Sequence, residues 1–229
     1  MLHGREPELA AIDALIASAR AGRGRAMFVT GEAGLGKSTL LGEAATRAGG
    51  VVLAGGAWES PGAPPYWPWI QVMRAATTRF GARVQDLPGV QAIENLATGP
   101  AHDTTDPAAA RFALLDALSR TLIGLSLEEP LVIVIDDLHA ADNPSLELLE
   151  LLCREIPRAA IAIFGGWREA ELALRPDAAR RLARASRHAT IHSLRRLTAA
   201  EVTAWIGADG PAIHGTSEGN PLFVEELVR

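Results

Sequence analysis

The chain has 229 residues, 22 basic and 27 acidic, for a formal net charge of -5, and 48% of it is hydrophobic. That composition suits one large globular domain, or one with a small appendage. The single cysteine, Cys153, excludes an internal disulfide and a cysteine-based zinc cluster. No apolar run approaches the roughly 20 residues of a spanning helix, and Met1 to Glu6 carries no signal-peptide core. The expectation is a cytoplasmic protein without membrane contact. The mild acidity gives no reason for this segment to touch nucleic acid directly. Of the 22 basic residues only one, Lys37, is lysine.

Leu9, Ile12, Leu15 and Ile16 recur at helical spacing over residues 6–21, and Gly22-Arg23-Gly24 stops that helix. Ala26 to Thr30 is a short apolar run, predicted as a buried strand. A glycine-rich stretch follows, then a helical pattern to about Ala48 and a second strand over 51–54. Residues 59–69 are irregular and hold Ser60, Pro61, Tyr66, Trp67 and Trp69. Helices are predicted over 69–80, 89–97 and 107–123, with a turn at Glu128-Glu129-Pro130. Leu131 to Ile135 is continuously apolar, as in a parallel-sheet strand buried on both faces. The next helix opens at Asp142-Asn143-Pro144, with Asn143 expected as cap. Strands are expected over 161–166 and 189–192, with an arginine-rich helix at 177–186 between them.

Strands alternating with helices predict an α/β fold with a central, mostly parallel, five-stranded sheet flanked by helices. From Thr198 on the pattern is helical only. We therefore expect a core over 1–196 and the start of a helical lid over 197–229, the chain being a piece of a longer protein.

Gly31-x4-Gly36-Lys37-Ser38 matches the phosphate-binding loop pattern, between a predicted strand and a predicted helix. Backbone N–H groups of residues 31–39 (Gly31, Glu32, Ala33, Gly34, Leu35, Gly36, Lys37, Ser38 and Thr39) would cradle phosphate oxygens. The helix start would add its positive dipole end. Lys37 would reach the β- and γ-phosphates, and the Ser38 hydroxyl would ligate magnesium. The strand ending in Asp136-Asp137 supplies the second half of the site. Asp136 would hold Mg2+ through water, and Asp137 would orient or deprotonate the attacking water. The ligand expected is Mg-ATP or its product ADP.

Four further stretches carry a family resemblance: Gly4-Arg5-Glu6-x-Glu8-Leu9, Asp136-Asp137-Leu138-His139-Ala140-Ala141-Asp142, Gly166-Trp167-Arg168-Glu169, and Gly219-Asn220-Pro221-Leu222-Phe223-Val224-Glu225-Glu226-Leu227. In this order they resemble the AAA+-like ATPase domain of STAND signal-transduction ATPases, most closely the large ATP-binding LuxR-type regulators. The likeness implies that Arg5 lies near the base or ribose, that Arg168 occupies the sensor position toward the γ-phosphate, and that Pro221 stands on the lid near the base. Each has a plainer rival: a solvated helix-start arginine, a surface ion pair, and a first-turn helix proline. Ala140 and Trp167 depart from the residues usual in the family.

The implied function is a slowly hydrolysing ATP switch that controls conformation and oligomerisation in a larger signalling or transcription-regulating protein. Its partners would be nucleotide, and self-association or further domains of the same chain. The alternatives are a constitutive AAA+ remodelling ATPase, a small-molecule kinase and a nucleotide-dependent scaffold.

Overall fold

The computed structural model describes residues 2–58, 62–98 and 106–229. The expected irregularity at Ser60 and Pro61 lies outside those residues.

Helix α1 (Glu6–Arg20) carries Glu6 and Glu8 in its first turn and Arg20 in its last, matching charge to the helix dipole. It leads into strand β1 (Arg25–Thr30), helix α2 (Lys37–Arg47) and strand β2 (Val51–Gly56). Three helices follow: α3 (Trp67–Phe80), α4 (Pro88–Thr98) and α5 (Pro107–Glu128). Strand β3 (Leu131–Asp136), helix α6 (Asn143–Glu155) and strand β4 (Ile161–Trp167) come next. Then come α7 (Glu169–Ala173), α8 (Pro176–Ala185) and β5 (Ala189–Ser193). The last strand is followed by α9 (Ala199–Ile206), α10 (Gly210–Ser217) and α11 (Pro221–Val228).

The five strands form one sheet in the order β2-β3-β4-β1-β5. Every neighbouring pair is parallel. Strand β4 is buried along its whole length, so the apolar runs of β1, β3 and β4 occupy the middle of the sheet. Alternate residues point to opposite faces. Phe28, Ile133 and Ile163 face a core built with α3, α5, α6 and α8. Val29, Val134 and Phe164 face a second core built with α1 and α2. Trp167 packs into the first core beside Phe28, with ring centroids 5.5 Å apart. This is a parallel α/β sheet with helices packed on both faces.

Several local expectations are corrected. Helix α6 is capped by Asp142, whose Oδ1 accepts from the Ser145 N–H at 2.8 Å; Asn143 is already its first helical residue. Both residue types cap well, and the geometry that reaches the third helical N–H decides between them. Helix α5 runs past the expected end at 123 to Glu128, the first residue of the expected turn, and Glu129 and Pro130 lie outside it. Helices α7 and α10 had no counterpart in the sequence reading. Helix α10 contains Gly210, Pro211 and Gly215, which hide its periodicity.

Candidate nucleotide-binding site

Residues 31–36 turn the chain from the end of β1 into the start of α2. Among the described residues no side chain caps the first turn of α2, which lines a cavity of about 670 Å3. Lys37 is buried, and its Nζ donates to the carbonyls of Gly31 at 2.9 Å and Glu32 at 2.7 Å. Burial, and then the nearby Arg168 charge, lower the pKa of this ammonium; Asp136, Asp137 and Glu171 oppose the shift. Two of its three protons are used on the loop, which leaves one for a ligand.

The strand order sets the opposite wall. Because β4 lies between β1 and β3, its C-terminal residues emerge between the glycine loop and the acidic pair. Asp136 ends β3, and its Oδ1 accepts from the Asp137 N–H at 2.8 Å. Asp137 has φ 53°, a left-handed conformation uncommon for a residue with a side chain. Its Oδ1 lies 3.9 Å from Arg168 Nη2 and 3.8 Å from His139 Nδ1. Arg168 Nη1 donates to Glu171 Oε1 at 2.8 Å, and His139 Nε2 lies 2.7 Å from Glu171 Oε2. The hydrogen bond from Arg168 is the main cause holding the Glu171 carboxyl below its ordinary pKa. Arg175 clamps the turn from behind by donating to the carbonyls of His139 and Ala141.

The third wall is the helical segment. Leu197 N–H donates to the Gly219 carbonyl at 2.7 Å. Asn220 caps α11, its side chain accepting from the Leu222 N–H at 3.1 Å. Its Nδ2 also donates to the Ala33 carbonyl at 3.2 Å, inside the glycine loop. Leu222 N–H donates to the Gly34 carbonyl at 3.3 Å. Gly34 has φ 79°, and a Cβ there would lie 2.7 Å from Asn220 Oδ1, so both backbone and contact require glycine. Arg196 forms an exposed bridge between Glu32 of the loop and Glu218.

Arg5 closes the site from the N-terminal side. It is 2% exposed, and its Nη2 donates to the carbonyls of Leu35 at 3.1 Å and Arg195 at 2.8 Å. Those bonds overturn the solvated rival: the guanidinium braces the glycine loop against the linker after β5. Its Nη1 is buried with no hydrogen-bond partner among the described residues. His3 and Trp205 stack with centroids 4.8 Å apart and planes 12° from parallel.

The cavity collects most of the residues singled out in the sequence. Arg5, Gly34, Leu35, Gly36, Lys37, Ser38, Thr39, Asp137, Arg168 and Pro221 all line it. Gly31, Glu32 and Ala33 do not. The carbonyls of Gly31 and Glu32 hold Lys37, that of Ala33 holds Asn220, and the Glu32 side chain turns outward to Arg196. Asp136 stands behind the lining, against Gly166. Pro221 is a first-turn proline of α11 and also faces the cavity, and Arg168 makes its ion pair while lining it. The sequence reading missed His3, Glu171 and Trp205. Asn220 lay within a quoted motif, and an Asn-Pro helix start was its readable signal.

A glycine-rich loop at a helix start, a buried lysine and two carboxylates at the end of β3, set on a parallel sheet, define the P-loop NTPase fold of the AAA+ type. The AAA ATPase domain model matches residues 2–165, and the chain belongs to that family. The fold is similar to that of the Aeropyrum pernix ORC2 protein solved in ADPNP–ADP complexes. There the TM-score is 0.57 at 15% identity, over 92% of this chain and 52% of that one. The Aeropyrum pernix ORC1 protein in complex with DNA gives a TM-score of 0.56 at 18% identity, over 100% and 59%. The STAND protein with a tetratricopeptide repeat sensor from Pyrococcus horikoshii gives 0.52 at 16%, over 97% and 29%. This chain therefore spans about half the length of the ORC structures and less of the STAND protein. No curated protein sequence matches it.

Proposed function

We propose that the chain binds ATP and ADP with magnesium, hydrolyses ATP slowly, and acts as the nucleotide switch of a larger STAND regulator of the LuxR type. The observation that carries the switch is the direct hydrogen bonding between the glycine loop and α11. Asn220 and Leu222 hold the carbonyls of Ala33 and Gly34, within the loop that would hold phosphate. A ligand that shifts that loop must shift the lid, which is the differential contact a switch requires.

In this reading the N–H groups of residues 34–39 and the free proton of Lys37 receive the phosphates. Arg5 offers its unpartnered Nη1 to the ribose or base, with Pro221 at the same end. The donor set fits a hard cation, since the Ser38 hydroxyl and the Asp136 carboxylate are oxygen ligands. Magnesium, when bound, neutralises charge on the β- and γ-phosphates. Asp137 takes a proton from water as the water oxygen bonds to the γ-phosphorus. The bond from that phosphorus to the bridging oxygen breaks, and its electron pair leaves with ADP. Arg168 stabilises the charge that develops on the γ-phosphoryl oxygens.

Hydrogen exchange with ATP, with ADP and without nucleotide tests the switch. The expected result is a different protection of residues 33–36 and 219–224 in the two nucleotide states. Identical protection with both nucleotides bound would remove the switch and leave a plain ATPase.

A further inference from the structure

Two groups from different elements flank Asp137, and one carboxylate holds both. Glu171 accepts from Arg168 Nη1 at 2.8 Å through one oxygen, and its other oxygen lies 2.7 Å from His139 Nε2. The His139 ring is itself 3% exposed, and its Nδ1 accepts from the Arg168 backbone N–H at 3.4 Å. With Nδ1 an acceptor, the ring proton sits on Nε2 and points at Glu171. The imidazole is thus held at both nitrogens. Helix α7 buries no residue, and the Glu171 side chain is 41% exposed, so packing does not account for this carboxylate. Its two bonds run instead to two side chains that lie 3.8 and 3.9 Å from the Asp137 carboxylate.

We propose that Glu171 is a positioning residue for ATP hydrolysis: it fixes the direction of the Arg168 guanidinium and, through His139, the seat of Asp137. The inference rests on the reading of this cavity as an ATPase site. Its physical basis is preorganisation. An arginine already held by a carboxylate meets developing charge without first losing its rotamer freedom. ADP has no γ-phosphate, so its binding does not depend on that aim.

The test compares the parent protein with Glu171→Ala, Glu171→Gln, Arg168→Ala and the Arg168→Ala/Glu171→Ala double variant, in steady-state ATP turnover and in calorimetric titration with ADP. Loss of the positioning carboxylate is expected to lower kcat about tenfold with ADP affinity unchanged. The double variant is expected to lose less than the two single losses combined, because part of the effect of Glu171 passes through the Arg168 side chain. Glu171→Gln is expected to fall between the parent and Glu171→Ala. Its amide oxygen accepts from Arg168, while its NH2 group meets the protonated nitrogen of His139. Should Glu171→Ala fail to fold, the Gln variant, which keeps size and shape, carries the comparison. Parental kcat in the Glu171 variants, or losses that add in the double variant, would overturn the proposal. A parent that turns over ATP in that case keeps the ATPase reading intact. A parent that neither binds nor hydrolyses ATP would overturn both.

Discussion

The Asn220 side chain joins the lid to the phosphate loop, and replacing it with alanine removes two separable bonds. The first is the helix cap of α11, where the side chain accepts from the Leu222 N–H at 3.1 Å. Such caps contribute about 1 kcal/mol. The second is the Nδ2 bond to the Ala33 carbonyl at 3.2 Å, from a residue that is 5% exposed. A bond of that kind adds about 1 kcal/mol. Only the second bond joins lid to loop, so the closing equilibrium should lose about 1 kcal/mol, or about fivefold, while loss of the cap weakens α11 itself. Asn220→Asp separates the terms. It keeps the cap, removes the donor and sets a carboxylate oxygen against the Ala33 carbonyl. Hydrogen exchange reads both regions. In Asn220→Ala, protection should fall at residues 222–224 and at 34–36 together. In Asn220→Asp, protection of the first turn of α11 should persist while the loop loosens. Unchanged loop protection in both variants would refute the coupling through Ala33, and equal loss in both would refute the partition.

Three further outcomes follow from the site. Lys37→Ala should abolish tight nucleotide binding, because it removes the buried ammonium proposed to meet the phosphates and frees the Gly31 and Glu32 carbonyls; unchanged affinity in calorimetry would sink the assignment. Asp137→Asn should bind ATP as the parent does and lose turnover, and equal turnover would remove Asp137 as the base. Thr198 caps α9 and the Glu201 carboxylate accepts from its N–H in return; the hydrogen bond from Arg195, chiefly, brings the Glu201 pKa from 4.5 down to about 2. A carboxyl lowered in the folded state stabilises it fully above the ordinary value and stops doing so as pH falls through the lowered one. The stability gap between the parent and Glu201→Gln should therefore shrink on acidification from about 4.5 to about 2, and a gap independent of pH there would contradict the pairing.

What could be read from the sequence was what neighbouring residues decide together. The phosphate loop is a contiguous backbone motif, so its nine residues announced both its conformation and its place between a strand and a helix. The apolar run from Leu131 to Ile135 announced a strand buried on both faces, and the acids after it fell at the strand end, where open parallel sheets place their ligands. Pairings distant in the chain were not legible. Arg5 looked like an ordinary helix-start arginine, and only folding brings the carbonyls of Leu35 and Arg195, 30 and 190 residues away, onto its guanidinium. The strand order, which sets Arg168 between the glycine loop and Asp137, belongs to the sheet as a whole. The seating of Asn220 on Ala33 spans 187 residues. Local periodicity and loop chemistry act over a few residues and are written in order. Burial and long-range hydrogen bonding depend on which surfaces meet, and the assembled sheet and lid decided those.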